Sequence, residues 1–181
     1  PARPVSAHTG THRLDRAPTG SRYVVLGALV PDDLAKDRTV AELTALALGG
    51  PKGALATSVG ARELGHEWSA RVLGGDHATA LVLSAAASPG KQEALLEHLK
   101  RVAEQLRAKG VARAHADRAR RAHAEQQRLA AADPRHRLAR LWRGQPQQAP
   151  EPPEWQRWHG WLERVLDPSQ LLAVVPPLGL E

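Results

Sequence analysis

Two adjacent residues, His66 and Glu67, have the types that begin the helical signature of many zinc proteases. In that signature, H-E-x-x-H, a second histidine lies one helical turn later, so that two imidazoles bind one zinc ion while the glutamate activates the bound water. The residue at the position of the second histidine is Ala70. His66 and Glu67 therefore do not form this kind of zinc site.

The inverted signature, H-x-x-E-H, is also missing from the sequence. None of the 9 histidines is followed by a glutamate three residues later and a histidine four residues later. His8 and His12 are close in sequence, but Thr9-Gly10 between them argues against a helix, and two histidines alone make a poor zinc site. We therefore predict that the chain contributes no catalytic residue, no metal ligand and no cofactor site.

The strands that would position His66 and Glu67 follow from runs of apolar residues. "YVVLGALVP" predicts a buried strand at residues 22–30, and a further edge strand is expected near residues 11–15. "HEWSARVL" and "HATALVLSAAA" flank "GGD" and predict an antiparallel hairpin. Because strand side chains alternate, Glu67 should point away from Trp68, Ala70 and Val72.

Helical spacing predicts the remaining elements. "DRTVAELTALALGG" reads as a helix that stops at Gly49-Gly50, and "KGALATSVGARELG" as a weaker second helix. A long amphipathic helix should begin with Ser88 as N-cap and Pro89 at its first position and end at Gly110. Another long helix is expected from about residue 112 to 132. It should be interrupted at Asp133-Pro134 and resume to about residue 143.

The C-terminal part should contain a Pro/Gln-rich loop at residues 144–153, a short helix in "WQRWHGWLERVL" and a last strand in "SQLLAVVP". Grouped strands with separate helices predict an α+β fold, a mainly antiparallel sheet with helices packed on one face. We expect one αβ domain over residues 1–181, with residues 1–10 as a flexible arm.

Composition limits the class of protein. The chain has 181 residues, 42% of them hydrophobic and 24% charged, which is typical of a globular domain. It has no cysteine, which excludes disulfides and thiolate metal sites. No apolar run is long enough to cross a membrane, so we expect a soluble protein. The sequence leaves the compartment open, and the bacterial periplasm and the cytoplasm are the two expected. The start "PARPVSAHTG" has no initiator Met and no signal-peptide pattern, which suggests a fragment or processed product.

One segment carries the excess positive charge. Residues 111–143 contain nine arginines against Asp117, Glu125 and Asp133, and nine minus three equals the formal net charge of +6 of the whole chain. On a helix, one side should carry Arg113, Arg120, Arg121 and Arg128, and the other Val111, Ala112, Ala119, Ala122, Leu129 and Ala130. Such a basic face could bind nucleic acid, although the stacking aromatics of single-strand binders are missing from it.

Three segments together resemble a known family. "LALGGPKGALATSVGARELGHEWSARV" resembles the segment "lGGg-x-s-x-L...lRe-x-lG-x-x-Ys" of the insulinase/pitrilysin-like zinc metalloproteases. "SPGKQEALLEHLKRVAEQLRAKGV" resembles the helix after their hairpin, and "LDPSQLLAVVPP" resembles their last strand. The three matches follow the order of the family and cover nearly the whole chain.

The resemblance implies a partner. Members of this family are built from two homologous αβ halves, of which the first carries H-x-x-E-H and the second is metal-free and helps to enclose the peptide substrate. Since this chain lacks the motif, the resemblance implies a second, non-catalytic half-domain, with zinc in the homologous catalytic half. That half would lie in the same parent chain or in a separate subunit.

The resemblance also implies two substrate contacts. In many relatives the second half offers an arginine and a tyrosine, seven residues apart, to the substrate backbone. An ungapped match places Ala61 at the arginine and Trp68 at the tyrosine, and Arg62 fits only with a local deletion. Arg62 and Trp68 are therefore the candidate substrate-binding residues. The alternative is that Trp68 packs within the hairpin and Arg62 is solvated.

The function expected from the sequence is thus to complete a peptide-substrate chamber with a catalytic half, while the chain alone is inactive. The alternatives are a structural subunit of the same fold without substrate contact and a basic nucleic-acid-binding domain.

Overall fold

A single mixed sheet organises the chain. The computed structural model describes residues 10–13, 23–58, 60–74, 78–135, 142 and 153–176. Five strands pair in the order β1-β5-β2-β4-β3. They are β1 (Gly10–Arg13), β2 (Tyr23–Val30), β3 (Gly65–Gly74), β4 (Thr79–Ala87) and β5 (Leu171–Val175). β1 is parallel to β5 and the other pairs are antiparallel, which confirms the predicted α+β fold with a mainly antiparallel sheet.

The helices cover one face of this sheet. Their bounds are α1 (Asp32–Ala35), α2 (Arg38–Leu48), α3 (Ala54–Thr57), α4 (Ala61–Leu64), α5 (Gln92–Lys109), α6 (Arg113–Ala132) and α7 (Trp155–Val165), followed by a 3-10 turn at Pro168–Gln170. The core forms where buried side chains of α2, α5 and α7 meet the inward-facing positions of the sheet. Burial of this apolar surface is the main source of stability.

The central strand β2 is buried on one side only. Val24, Leu26, Ala28 and Val30 are each at most 4% exposed, whereas the residues between them remain partly or largely exposed. The continuous apolar run predicted a buried strand, and the structure buries its alternate residues on the face that the helices cover. The side chains of the other face are apolar but open to solvent.

The predicted hairpin is confirmed. β3 and β4 pair antiparallel, with Ser69 opposite Ser84 and Arg71 opposite Val82. The register shifts between His66 and Ser69, so a β-bulge lies at the start of β3.

The glycines after α2 carry the chain across the edge of β3. Gly50 has φ +78° and its N–H donates to the carbonyl of Trp68 at 3.0 Å. A Cβ on Gly49 would lie 2.8 Å from the backbone nitrogen of Ala70. The Gly-Gly pair thus ends α2, as predicted: Gly49 allows a backbone approach that a side chain would block, and Gly50 supplies the left-handed backbone.

Two helix starts differ from the sequence-based prediction. The weak second helix is split into α3 and α4, because Gly60 between them has φ +81°. α5 begins at Gln92 rather than after Ser88, because Ser88 to Lys91 form a hydrogen-bonded turn with Gly90 at φ +69°. Pro followed by a left-handed glycine is the sequence of a type II turn, which competes with helix initiation.

The long helix α6 matches its predicted bounds, and its predicted apolar side is buried only in part. Ala116, Ala119 and His123 are its buried residues, while Leu129 is 64% exposed. The predicted continuation to residue 143, the loop at 144–153 and the arm at 1–10 lie outside the described residues, except for a few positions.

The remaining predicted elements are confirmed as α7 and β5. In the part of the chain that the structure describes, no helix is both long and apolar enough to cross a membrane.

Candidate functional site

The face of the sheet opposite the helices is the candidate site. It carries alternate residues of β2, β3 and β4, and a shallow cavity of about 500 Å³ lies on it. The lining consists of aliphatic side chains framed by an aromatic ring, two hydroxyls and two opposite charges: Tyr23, Val25, Glu67, Ser69, Arg71, Leu73, Val82 and Ser84. We call this surface the open face.

The apolar part of the open face is unusually accessible for a sheet. Tyr23 is 39% exposed and Leu73 is 55% exposed, and on the neighbouring strand β5 Leu172 is 36% exposed. Single exposed apolar residues are normal, but several on one surface mark a binding site. The open face therefore exposes several apolar side chains on one surface.

At one end of the cavity Glu67 adopts an uncommon backbone conformation. Its φ is +54°, in the left-handed region, and it lies inside the bulge between His66 and Ser69. A bulge re-aims a side chain, and here the carboxylate reaches across β4 to Tyr23, whose hydroxyl donates to Oε2. This hydrogen bond raises the pKa of Tyr23, since ionisation of the phenol would end the bond and place two negative charges together.

Behind the sheet, β3 and α5 meet in a polar contact. The rings of Trp68 and His98 pack edge to face with centroids 5.9 Å apart. Ser58 Oγ donates to the carbonyl of Leu55 at 2.6 Å, so it accepts from Nε2 of His98 at 2.8 Å. Burial, with a smaller contribution from the charge of Arg101, lowers the pKa of His98, which therefore favours its neutral form.

The candidate residues from the sequence lie in different surroundings. Trp68 is 9% exposed and belongs to the core on the helix side of the sheet. Arg62 belongs to α4, and its side chain lies outside the described residues. A substrate contact by Arg62 or Trp68 stays a prediction, and Trp68 is not part of the lining of the open face.

Sequence reasoning missed Tyr23 and Ser84 as residues of the open face. It did predict that Glu67 points away from Trp68, and the alternation in β3 places Ser69 and Arg71 on that same side. The missing information was the order of the strands in the sheet. Tyr23 on β2 reaches Glu67 on β3 across β4, which lies between them in space but follows both in sequence.

The surroundings of His66 differ from those of a zinc-protease helix. Within the described ranges, no group of three or more His, Cys, Asp or Glu side chains is placed to hold a metal ion. His66 is exposed in β3, where successive side chains alternate, so it does not share a helix face with residues further on.

Comparisons with known proteins identify the fold. No protein-family model matches the sequence, and no curated protein matches it. Solved structures do match. A protein from Alicyclobacillus acidocaldarius described as an M16-like peptidase is 16% identical with a TM-score of 0.70, over 92% of this chain and 43% of that one. The inactive domain of a peptidase M16 from Pseudomonas fluorescens is 13% identical with a TM-score of 0.73, over 95% of this chain and 44% of that one.

A third match has nearly the same length as this chain. It is described as the inactive peptidase domain of a zinc protease from Bordetella parapertussis, and it is 17% identical with a TM-score of 0.69. The match covers 92% of this chain and 96% of that one, whereas the chain spans less than half of the first two proteins. The chain therefore has the fold of the M16-like peptidase domains, the insulinase/pitrilysin-like fold, and shares it with domains of zinc proteases that are inactive.

Proposed function

We propose that this chain is the metal-free half of a zinc metallopeptidase and that its open face closes a peptide chamber against a zinc-bearing half. The observation that carries the proposal is the apolar open face, since Leu73 and its neighbours are exposed on a sheet whose other face is fully packed. A surface of this kind is stabilised when a second molecule covers it. The homologous half and the peptide are the partners that the fold suggests.

The chemical requirements of zinc-dependent hydrolysis support the same proposal. Zinc hydrolysis of a peptide needs three protein ligands, an open coordination position and a base for the bound water. The sequence contains neither H-E-x-x-H nor H-x-x-E-H, so zinc is expected in the other half. This chain then provides a wall that binds and orients the peptide, which lowers the entropic cost of reaching the reactive geometry.

The first experiment measures the chain alone. The purified chain should contain no stoichiometric zinc and cleave no member of a broad peptide library. The double variant His66→Ala, Glu67→Gln should leave the metal content unchanged. One tightly bound zinc per chain, with cleavage abolished by that double variant, would overturn the assignment.

The second experiment adds the catalytic half, identified by an H-x-x-E-H motif in the same gene or a neighbouring one. Mixing the halves should produce peptidase activity. Leu73→Asp places a charge on the open face and should weaken association about tenfold or more, because a charge is costly in a buried apolar contact. Leu129→Asp on α6 is the matched control, since Leu129 is similarly exposed but lies outside the open face.

The same mixture tests Arg62 and Trp68. Trp68→Ala should lower the activity of the assembled enzyme if the indole approaches the substrate, and circular dichroism separates this effect from loss of folding. A structural subunit without substrate contact is the alternative function. It would associate with its partner, and open-face variants that still associate would then leave peptide cleavage unchanged.

A further inference from the structure

The backbone of Glu67 is strained. Within the described part of the chain, it is the one residue other than glycine with a positive φ, at +54°. Left-handed backbone is unfavourable for a side chain that has a Cβ, and such residues collect at binding and catalytic sites. Glycine would be the better choice if only the bulge were needed.

The conformation places a carboxylate where a ligand can reach it. Oε2 of Glu67 accepts from the Tyr23 hydroxyl, and both residues are exposed at the same end of the cavity. Ser69 and Ser84, a cross-strand pair, add hydroxyls to the lining. The exposed aromatic ring and the carboxylate together offer two of the groups that bind organic cations, by charge-assisted hydrogen bonds and by cation–π contact.

The carboxylate has no cationic partner within the described residues. Arg71 lies on the same strand and face, but the two side chains form no ion pair among those that the structure describes. Five of the nine arginines of the basic segment belong to α6, which packs against α2 in the helix layer. The open face thus carries one carboxylate, Glu67, and one guanidinium, Arg71, which do not pair with each other in the described structure.

We propose that Glu67 and Tyr23 form a subsite for a cationic group of the bound peptide, either the side chain of Lys or Arg or a free amino terminus. The flanking aliphatic residues Val25 and Val82 would contact the stem of such a side chain. This inference rests on the proposed function, because it names the class of peptide that the open face prefers.

The test uses the full chain and three peptides that differ at one central residue, Lys, Gln or Glu. The peptides are acetylated and amidated, and binding is followed by two-dimensional NMR of the amide groups. We expect the Lys peptide to bind about three- to fivefold more tightly than the Gln peptide, the range of an exposed ion pair, and the Glu peptide most weakly. The shifts should centre on Tyr23, Glu67 and Ser84, and added salt should reduce the preference.

A fourth peptide, the Gln peptide with a free amino terminus, separates the two sources of charge. If it binds as tightly as the acetylated Lys peptide, the subsite accepts the terminus. If only the Lys peptide gains affinity, the subsite takes a side chain. Both outcomes support a cation subsite.

Two variants separate recognition from structure. Glu67→Gln keeps an acceptor for Tyr23 and should abolish the preference for Lys over Gln. Arg71→Gln is the matched control on the same strand and should keep the preference or increase it. Glu67→Gly relieves the left-handed strain and should raise or preserve the melting temperature while abolishing the preference. A role confined to structure would instead lower the melting temperature and leave the preference intact.

The result distinguishes this inference from the proposed function. Shifts on the open face with equal affinity for Lys, Gln and Glu peptides would overturn the cation subsite and leave the chamber proposal standing. Preference for the Glu peptide, or no shift at Tyr23 and Glu67 with any peptide, would also overturn the subsite. The chamber proposal is judged separately by the activity of the mixed halves.

Discussion

The neutral state of His98 connects one residue to the stability of the fold. The side chain is 2% exposed, and its burial and the charge of Arg101 both oppose protonation. His115, on the next helix, also has a lowered pKa, caused first by burial and then by Arg118. Both residues therefore make the folded chain resist protonation more than the unfolded chain does.

Stability should consequently fall in mild acid. The pKa of His98 in the folded chain is below the ordinary value of about 6.5, so the unfolded chain binds protons first as the pH decreases. The free energy of unfolding should be highest above that ordinary value and decrease as the pH drops towards the folded-state pKa. Urea unfolding between pH 8 and pH 5 measures this dependence.

The variant His98→Gln should flatten part of that pH dependence, because the amide cannot titrate. His66→Gln, a change to an exposed histidine of β3, is the control and should keep the dependence of the unchanged chain. A chain whose stability rises on acidification through this range would contradict the assignment of His98 as a neutral residue.

At the scale of elements, one hydrogen bond joins α7 to α2. Nε1 of Trp158 donates to Oγ1 of Thr44 at 2.8 Å, and that hydroxyl donates to the carbonyl of Val40. Trp158 and Thr44 are almost completely buried. Trp158 and Trp161 of α7 thus belong to the core, and Trp155, which is 42% exposed, packs edge to face on Trp158.

Replacing Thr44 with Val should cost about 1–3 kcal/mol, because it keeps the shape but leaves the indole N–H of Trp158 buried without an acceptor. Chemical denaturation with tryptophan fluorescence measures the loss. Thr57→Val is the matched control, since the hydroxyl of Thr57 also donates to the carbonyl four residues earlier but belongs to an exposed residue. Its cost should stay within about 0.5 kcal/mol. Equal losses in both variants would show that the buried indole contributes nothing specific.

Local sequence patterns predicted most of the helices and strands. They did not predict the features that depend on competition between a turn and a helix start, or on residues distant in sequence. The hairpin, α5, α6, α7 and β5 follow from apolar spacing and from glycines such as Gly110. The predicted start of α5 was wrong, because Pro89, which favours a helix start, belongs instead to the turn that begins at Ser88. The bulge at Glu67 could not be predicted, because the sequence has no glycine at that position. The contact of Glu67 with Tyr23 depends on the order of the strands in the sheet.

For the whole molecule, the basic charge of α6 is the feature that favours the alternative function, nucleic-acid binding. Arg113, Arg121 and Arg128 are exposed, while Arg120 is half-buried and donates to the carbonyl of Pro153 at 3.1 Å. Arg113 and Arg128 lie within 4 Å of acidic residues of their own helix. These contacts are those of a solvated helix surface, in which the arginine stems also cover apolar neighbours.

Changing Arg113, Arg121 and Arg128 to Gln should therefore alter the free energy of unfolding little, by about 0–1 kcal/mol for each exposed charge. Binding of DNA or RNA should be undetectable at physiological salt, before and after the change. Fluorescence anisotropy with labelled oligonucleotides measures it. Submicromolar, salt-dependent binding that the triple variant loses would favour the nucleic-acid alternative over the peptidase half. Adding Arg120→Gln should be more costly, since it also removes the bond to Pro153.

The crossing of Gly49 and Gly50 over β3 limits how this molecule can polymerise. An exposed sheet edge normally offers a template on which a strand of another copy can add, and this is a common start of aggregation. Here the carbonyl of Trp68 is already bonded to Gly50, and Gly49 lies against the backbone of Ala70. An incoming strand would have to displace this loop before it could pair along the middle of β3. The two glycines thus protect that part of the sheet edge, and a side chain at Gly49, which would clash with the backbone of Ala70, would move the loop away and expose it.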